Sequence, residues 1–322
     1  MFEKWKIRFR ALKWLYKAYR TQRILFPYTP HVITTWEENA EELMTEENIA
    51  ALKKNIDDQS CKVLDLFLRE LKFFLKLRHY DYALVYDFPF EEDKTEREKF
   101  RKEAERYKDS GLPSPLPAES LYFHHGLRSA PESVKNYIKG KIFIDGGACA
   151  GDSTLIFQQY QPGKVIAFDI SPRMVKLFHS VMQKNAVPDD NYLLLQKGLG
   201  EKTETVAFDD IGVGSTTLLK NGKYNAEIVP LDSCKEITGT VGLIKFDLEG
   251  FGLQAIRGMR ETIKKDRPVL ALAVYHSCSE LFGIKAFLEE LDLKYRIEYK
   301  SCYFDHYGEL TMFAYPEELE RK

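Results

Sequence analysis

The sequence predicts an α/β protein built on a mostly parallel sheet, closed by a terminal antiparallel hairpin and preceded by a helical N-terminal region. Three observations carry that prediction. Between residues 142 and 291, short apolar runs rich in β-branched side chains alternate with helical patterns, the arrangement of parallel strands joined by crossover helices. Two further strand-like runs, 295–303 and 310–315, flank Asp305-His306-Tyr307-Gly308, which reads as a hairpin turn. Third, Ile142-Phe143-Ile144-Asp145-Gly146-Gly147-Ala148-Cys149-Ala150-Gly151-Asp152-Ser153 reads as strand, glycine turn and helix start. Such a turn is expected to leave unpaired N–H groups and the positive end of a helix facing the crevice beyond the strand, where a nucleotide-like ligand sits against bare backbone.

Composition narrows the function classes. At 322 residues and 44% hydrophobic content the chain is long enough for one large α/β domain plus a smaller one. A net charge of -2 argues against a generic polyanion binder, so no nucleic-acid partner is expected. Cys61, Cys149, Cys234, Cys278 and Cys302 are scattered without Cys-x-x-Cys spacing and odd in number, which fits a reducing cytoplasm rather than a disulfide framework. No apolar run approaches the roughly 20 residues that cross a bilayer, and the N-terminus lacks the apolar core of a signal peptide.

In chain order, residues 1–26 are dense in Lys and Arg, with Trp5, Phe9, Leu12, Tyr16 and Tyr19 at helical spacing. That basic amphipathic helix either lies on an anionic membrane surface as a peripheral contact or packs its aromatic stripe on the rest of the protein. Residues 37–86 read as helical, and 91–108, almost wholly charged, as a solvated helix or mobile segment. Gly111-Leu112-Pro113-Ser114-Pro115-Leu116-Pro117 excludes a helix and marks the expected boundary between a helical region, 1–118, and a main domain, 119–322. Within the main domain, 131–138 reads as a helix leading to the central strand. Then come a strand at 164–168, a helix at 174–185, a strand at 192–196 and short extra strands at 203–208 and 226–229. A fourth parallel strand at 243–247, a helix at 253–264, a strand at 269–275 and a helix at 284–291 complete the alternation.

Candidate chemistry falls where these strands end. Asp169, in Phe168-Asp169-Ile170-Ser171-Pro172, lies 18 residues beyond Gly151, where a carboxylate accepts both hydroxyls of a bound ribose or else caps the next helix. Asp145 either holds the turn or approaches a ligand amino group. In Lys245-Phe246-Asp247-Leu248-Glu249-Gly250, strand period two directs Lys245, Asp247 and Glu249 to one side, bordering the crevice. Two carboxylates there serve to deprotonate a hydroxyl or to bind a divalent metal, unless Lys245 merely neutralises Asp247. His276 ends the fifth strand as a candidate base. His124 and His125 are candidates for a lid, and His306 is a weaker candidate still.

Together, Asp145-Gly146-Gly147-Ala148-Cys149-Ala150-Gly151-Asp152-Ser153-Thr154, Ala167-Phe168-Asp169, Ile244-Lys245-Phe246-Asp247-Leu248-Glu249-Gly250 and Ala273-Val274-Tyr275-His276 resemble the FkbM family of S-adenosylmethionine-dependent methyltransferases over roughly residues 122–316. The terminal hairpin is the usual ending of such a sheet. The resemblance implies a class I methyltransferase Rossmann-like sheet, S-adenosyl-L-methionine as donor and O-methylation of a sugar, glycan or natural-product-like acceptor. It assigns the turn around Asp145, Gly147 and Gly151 to the donor's methionine end and Asp169 to its ribose, with Ala148, Asp152, Ser153 and Ser171 as further donor-binding residues. Cys149 stands where the family commonly has Asn, and Asp169 where it commonly has Glu. Asp247, Glu249 and His276 are then expected around the acceptor oxygen, with a divalent metal held by Asp247 and Glu249 as an option. The alternatives are a nicotinamide-dependent oxidoreductase and a non-catalytic module that keeps the fold.

Overall fold

The computed structural model describes residues 40, 42–77, 94–212, 215–218, 222–302 and 309–320. The expected basic helix at 1–26, the turn at 305–308 and His306 lie outside them. In chain order the helices are α1 (Glu46–Lys53), α2 (Asp58–Leu77), α3 (Lys94–Ala104), α4 (Ala118–Leu121), α5 (Glu132–Ile138), α6 (Asp152–Phe157), α7 (Pro172–Lys184), α8 (Gly252–Arg257), α9 (Arg260–Asp266) and α10 (Cys278–Glu290). The strands are β1 (Ile142–Gly146), β2 (Lys164–Phe168), β3 (Tyr192–Leu195), β4 (Gly198–Leu199), β5 (Glu204–Gly212), β6 (Ser215–Leu218), β7 (Tyr224–Val229), β8 (Val241–Phe246), β9 (Val269–Ala273), β10 (Tyr295–Ser301) and β11 (Leu310–Pro316).

Seven strands form the main sheet in the order β10-β11-β9-β8-β1-β2-β3, and β4, β7, β5 and β6 form a second, smaller one. In the main sheet β9, β8, β1, β2 and β3 run parallel, while β11 is antiparallel to both β9 and β10. The parallel strands are apolar almost throughout because both faces are covered. Ile144, Ile166, Ile244 and Leu270 enter a core with α8, α9 and α10, to which Leu64, Phe67 and Leu68 of α2 also belong. Their neighbours Phe143, Val165, Leu243 and Val269 enter the opposite core with α5, α6 and α7. Period-two alternation along each strand divides the apolar side chains between two layers, and each buried Val, Ile or Phe contributes about 1.5–3 kcal/mol.

Two expectations change in detail. The helix expected over 253–264 is interrupted: α8 ends at Arg257, Gly258 and Met259 intervene, and α9 starts afresh at Arg260. A Cβ at Gly258 would sit 1.9 Å from the Gly200 carbonyl oxygen, so close backbone contact with the second sheet's edge accompanies the break. The charged segment around α3 is anchored as well as solvated: the Phe100 ring stands edge-on to Tyr122 at 5.9 Å, and the Tyr122 hydroxyl donates to Glu96 at 2.5 Å.

Candidate active site

The turn after β1 is built by close backbone packing. Gly147 has φ +69°, and a Cβ there would lie 1.9 Å from the Asp247 carbonyl oxygen, so no other residue fits between the ends of β1 and β8. Gly151, at φ +87°, closes the turn with Phe178 and Met182 of α7 pressed against it. Contrary to the expectation of bare N–H groups, most of the turn is satisfied internally. The Gly147 and Ala148 amides both donate to the Phe168 carbonyl at 2.9 Å, Gly151 donates to Ala148 at 2.8 Å, and Cys149 donates to Asp169 Oδ2 at 2.8 Å. The helix that follows, α6, is only six residues long. The turn therefore presents shape, and the charged recognition falls to side chains around it.

Those side chains line one cleft of about 300 Å³ at the carboxyl edge of the parallel strands, within the size range of small-ligand sites. One wall is apolar: Phe168, Ile170, Met174, Leu199, Ile228 and Phe251. Asp169 stands beside it with both oxygens fixed, Oδ2 by the Cys149 amide and Oδ1 by the Ser171 amide, each at 2.8 Å. Burial raises its pKa, and those two amides work against the rise. Each oxygen keeps a lone pair for a ligand hydroxyl. Cys149 adopts φ +47°, a region that Gly and Asn tolerate better than most residues. Burial pushes its thiol up to about 12, so it is no thiolate nucleophile.

The other end of the cleft is acidic. β8 ends at Phe246, so Asp247 and Glu249 project from a loop rather than by strand alternation, and Glu249 takes φ +50°. Both line the cleft. Behind them His276, 3% exposed, places Nε2 3.2 Å from Asp247 Oδ1 and 3.6 Å from Glu249 Oε2, with Nδ1 3.6 Å from Glu280 Oε2. Burial alone would lower the His276 pKa, but the surrounding carboxylates, Asp247 foremost, push it up to about 10. Burial raises Glu249 to about 7 despite the imidazolium. The Tyr275 hydroxyl donates to Asp247 Oδ2 at 3.1 Å, while Asp247 Oδ1 is buried without a hydrogen bond.

Of the residues singled out in the sequence, Gly147, Asp152, Ser153, Asp169, Asp247 and Glu249 meet in this cleft. Asp145, Ala148, Gly151, Ser171 and His276 are not among its lining residues and support it from behind. Asp145, fully buried, accepts from Lys245 Nζ at 3.0 Å and from the Thr154 hydroxyl at 2.7 Å, so it holds the turn. Ser171 caps α7 by accepting from the Met174 amide at 3.2 Å. His125 lines the cleft, whereas His124 Nδ1 turns to the Tyr160 hydroxyl at 2.6 Å. Among the described residues no group of three or more His, Cys, Asp and Glu is arranged to hold a metal ion.

Sequence reasoning missed Glu119, Glu280 and the cleft wall made by Leu112, Pro113, Pro115 and Pro117, a stretch that reads only as a stiff boundary. Glu280 carried a signal, since Ser277-Cys278-Ser279-Glu280 is a capping-box pattern. Ser277 Oγ does accept from the Glu280 amide at 3.1 Å, but the Glu280 carboxylate reaches across to the Gly252 amide at 2.7 Å.

A parallel sheet ending in an antiparallel pair, with a cleft between the β1 turn and the ends of β2 and β8, defines a class I methyltransferase fold. Residues 145–301 match the model of the methyltransferase FkbM domain, and this part of the chain belongs to that family. Among solved structures the chain is similar to the methyltransferase FkbM of Methylobacillus flagellatus KT, with 18% identity and a TM-score of 0.59 over 90% of this chain and 64% of that one. At that identity the likeness is one of fold, and the chain spans under two thirds of that relative's length. Looser similarity extends to an rRNA methylase from Streptococcus thermophilus, with 13% identity and a TM-score of 0.40 over 64% of this chain and 100% of that one. A Streptococcus mutans methyltransferase in complex with SAH shows 16% identity and a TM-score of 0.38 over 57% of this chain and 94% of that one. Comparison with curated proteins finds no match. Among the described residues no helix is long and apolar enough to cross a membrane.

Proposed function

We propose that the protein transfers a methyl group from S-adenosylmethionine to a hydroxyl of a neutral, polyhydroxylated acceptor of the sugar or glycan type. The observation that carries this reading is the division of one cleft into two ends: an apolar wall beside the doubly fixed Asp169 carboxylate, and the Asp247 and Glu249 carboxylates backed by His276. The apolar wall suits an adenine ring, and Asp169 suits ribose hydroxyls. The donor supplies a methyl group on a positively charged sulfur, displaced in line by the acceptor oxygen.

What the chain itself contributes is alignment and a place for one proton. As the O–CH3 bond forms and the S–CH3 bond breaks, the acceptor hydroxyl proton passes to Glu249, whose pKa near 7 suits a general base at neutral pH. Asp247, which lines the cleft beside Glu249, orients the acceptor. His276 takes a different part from the base anticipated in the sequence. Held as an imidazolium by three carboxylates, it has no lone pair to receive a proton, and it works against the rise that burial imposes on the Asp247 pKa.

Calorimetry with S-adenosylmethionine and S-adenosylhomocysteine tests the donor, and methyl transfer from labelled donor to a panel of neutral glycans tests the acceptor. Glu249→Gln and Asp247→Asn are expected to keep donor binding and lose transfer. Absence of binding by either nucleoside removes the reading.

A further inference from the structure

The loop that carries Asp247 and Glu249 is fixed at its two ends by different means. At its start the Asp247 amide donates to the Gly146 carbonyl at 3.0 Å. At its end α8 begins at Gly252, and the residue before it, Phe251, makes no side-chain capping bond. The cap comes instead from α10: Glu280, fully buried, reaches across so that its Oε1 accepts from the Gly252 amide at 2.7 Å. A carboxylate is favourable at a helix start, and glycine is what lets this one come so close. A Cβ at Gly252 would lie 2.7 Å from that same oxygen, so the two residues fit only as a pair.

The second oxygen of Glu280 turns the other way. Oε2 lies 3.6 Å from His276 Nδ1, and both atoms are buried without a hydrogen bond. Buried polar atoms ordinarily find partners, and two that face each other at this distance are one short movement from a bond. On the far side of the ring, His276 Nε2 stands 3.2 Å from Asp247 Oδ1 and 3.6 Å from Glu249 Oε2. One carboxylate thus reaches the two acids by two routes, through the backbone where their loop ends and through the imidazole behind them. Glu280 is not among the residues that line the cleft, so its influence on a ligand passes through those two supports.

We propose that Glu280 is the positioning residue of the acceptor end: it keeps the 247–252 loop and the His276 ring in one arrangement, and so directs Asp247 and Glu249 at the acceptor hydroxyl. This rests on the methyl-transfer reading above and deepens it, because two acids on an irregular loop act at fixed places only if something holds the loop. In-line displacement depends steeply on placement, and a misplacement of about 1 Å costs about 100-fold in rate. The donor end has separate supports, since Asp169 is fixed by the Cys149 and Ser171 amides. Loss of Glu280 therefore acts on one end of the cleft and spares the other.

The test compares the wild-type protein with Glu280→Gln and Glu280→Ala by melting temperature without ligand, by calorimetry with S-adenosylhomocysteine, and by kcat and KM for transfer from labelled donor to the neutral glycan that the wild type uses best. Glu280→Gln keeps an oxygen for the Gly252 amide and turns its NH2 toward His276, which breaks the route through the ring alone, whereas Glu280→Ala breaks both. The expected kcat falls about 10-fold in Glu280→Gln and about 100-fold in Glu280→Ala, while acceptor KM and nucleoside affinity stay within about 3-fold of the wild type. If Glu280→Ala does not fold, the shape-conserving Glu280→Gln carries the test. A folded Glu280→Gln that turns over at the wild-type rate overturns the proposal, as does a kcat that falls only together with nucleoside affinity, the mark of general loosening. Either result leaves the methyl-transfer reading standing. A wild-type protein that binds no S-adenosylhomocysteine, or that methylates none of the glycans, removes that reading, and the role of Glu280 falls with it.

Discussion

Lys245 and Asp145 face each other across the β1–β8 pair, paired in strand register, with Nζ 3.0 Å from Oδ1 and both side chains at most 4% exposed. The ammonium also takes the Gly146 and Gly147 carbonyls, so one buried cation ties the glycine turn to the strand that leads into the Asp247 and Glu249 loop. Burial would strip its charge, but Asp145, Asp247 and Asp152 hold its pKa above the ordinary lysine value.

Breaking that pair leaves an uncompensated buried charge. Lys245→Met and Asp145→Asn are each expected to cost about 3–5 kcal/mol in unfolding free energy, and the double variant less than the sum. Urea denaturation of the four proteins checks this. Additive losses would mean that the two side chains do not act as a unit.

The imidazolium of His276 makes stability depend on pH in a fixed direction. Its pKa is raised from the ordinary 6.5 to about 10, so the folded state binds the proton more tightly than the unfolded one. Its stabilisation is fully present below about 6.5 and is lost as pH climbs through about 10. Glu249, raised to about 7, acts with the same sign at lower pH, because the unfolded chain releases that proton first. The melting temperature is therefore expected to fall between pH 7 and 10, and His276→Asn to flatten that fall. A profile that His276→Asn leaves unchanged would assign the titration to another group.

The fold was readable because two signals agree along the chain. Runs such as Val165-Ile166-Ala167-Phe168 and Val269-Leu270-Ala271-Leu272-Ala273 are apolar on both faces, as strands covered by helices on both sides must be. The site was readable where local chain geometry forces residue type: Gly147 leaves no room for a Cβ, and Asp169 must receive two amides of its own neighbourhood. Long-range pairings left no local trace. Nothing around Glu119 marks a carboxylate that meets His125, and nothing around His276 shows that two acids of the 247–249 loop and Glu280 of α10 will charge it. The glycine turn misled in one respect, since its pattern is the same whether its amides await a ligand or, as here, bond to Phe168 and Asp169.

Gly147→Ala tests whether close backbone packing sets the cleft. The added Cβ would meet the Asp247 carbonyl oxygen at 1.9 Å, and φ +69° is strained for alanine. Relief requires β1 and β8 to part, so the variant is expected to lose about 2 kcal/mol or more and to bind S-adenosylhomocysteine at least about 10-fold more weakly. Wild-type affinity would show that the turn does not shape the ligand site.

Asp169→Asn puts the ribose assignment to a test that spares the shape of the cleft. The two oxygens of Asp169 accept from the Cys149 and Ser171 amides, so an amide side chain must turn one NH2 toward a backbone N–H, a clash of two donors. The variant therefore loses one internal bond whatever its ligand, and with a ribose it also loses the charge that strengthens bonds from the two hydroxyls. Charge-assisted hydrogen bonds are worth about 1.5–3 kcal/mol, so affinity for S-adenosylhomocysteine is expected to fall by about 10- to 100-fold. The 2′,3′-dideoxy analogue, which has no hydroxyls to offer, separates the two losses: it is expected to bind the wild type weakly and the variant almost as well. If the analogue and the parent nucleoside lose equal affinity on Asp169→Asn, the carboxylate serves only to hold the turn, and the ribose is held elsewhere.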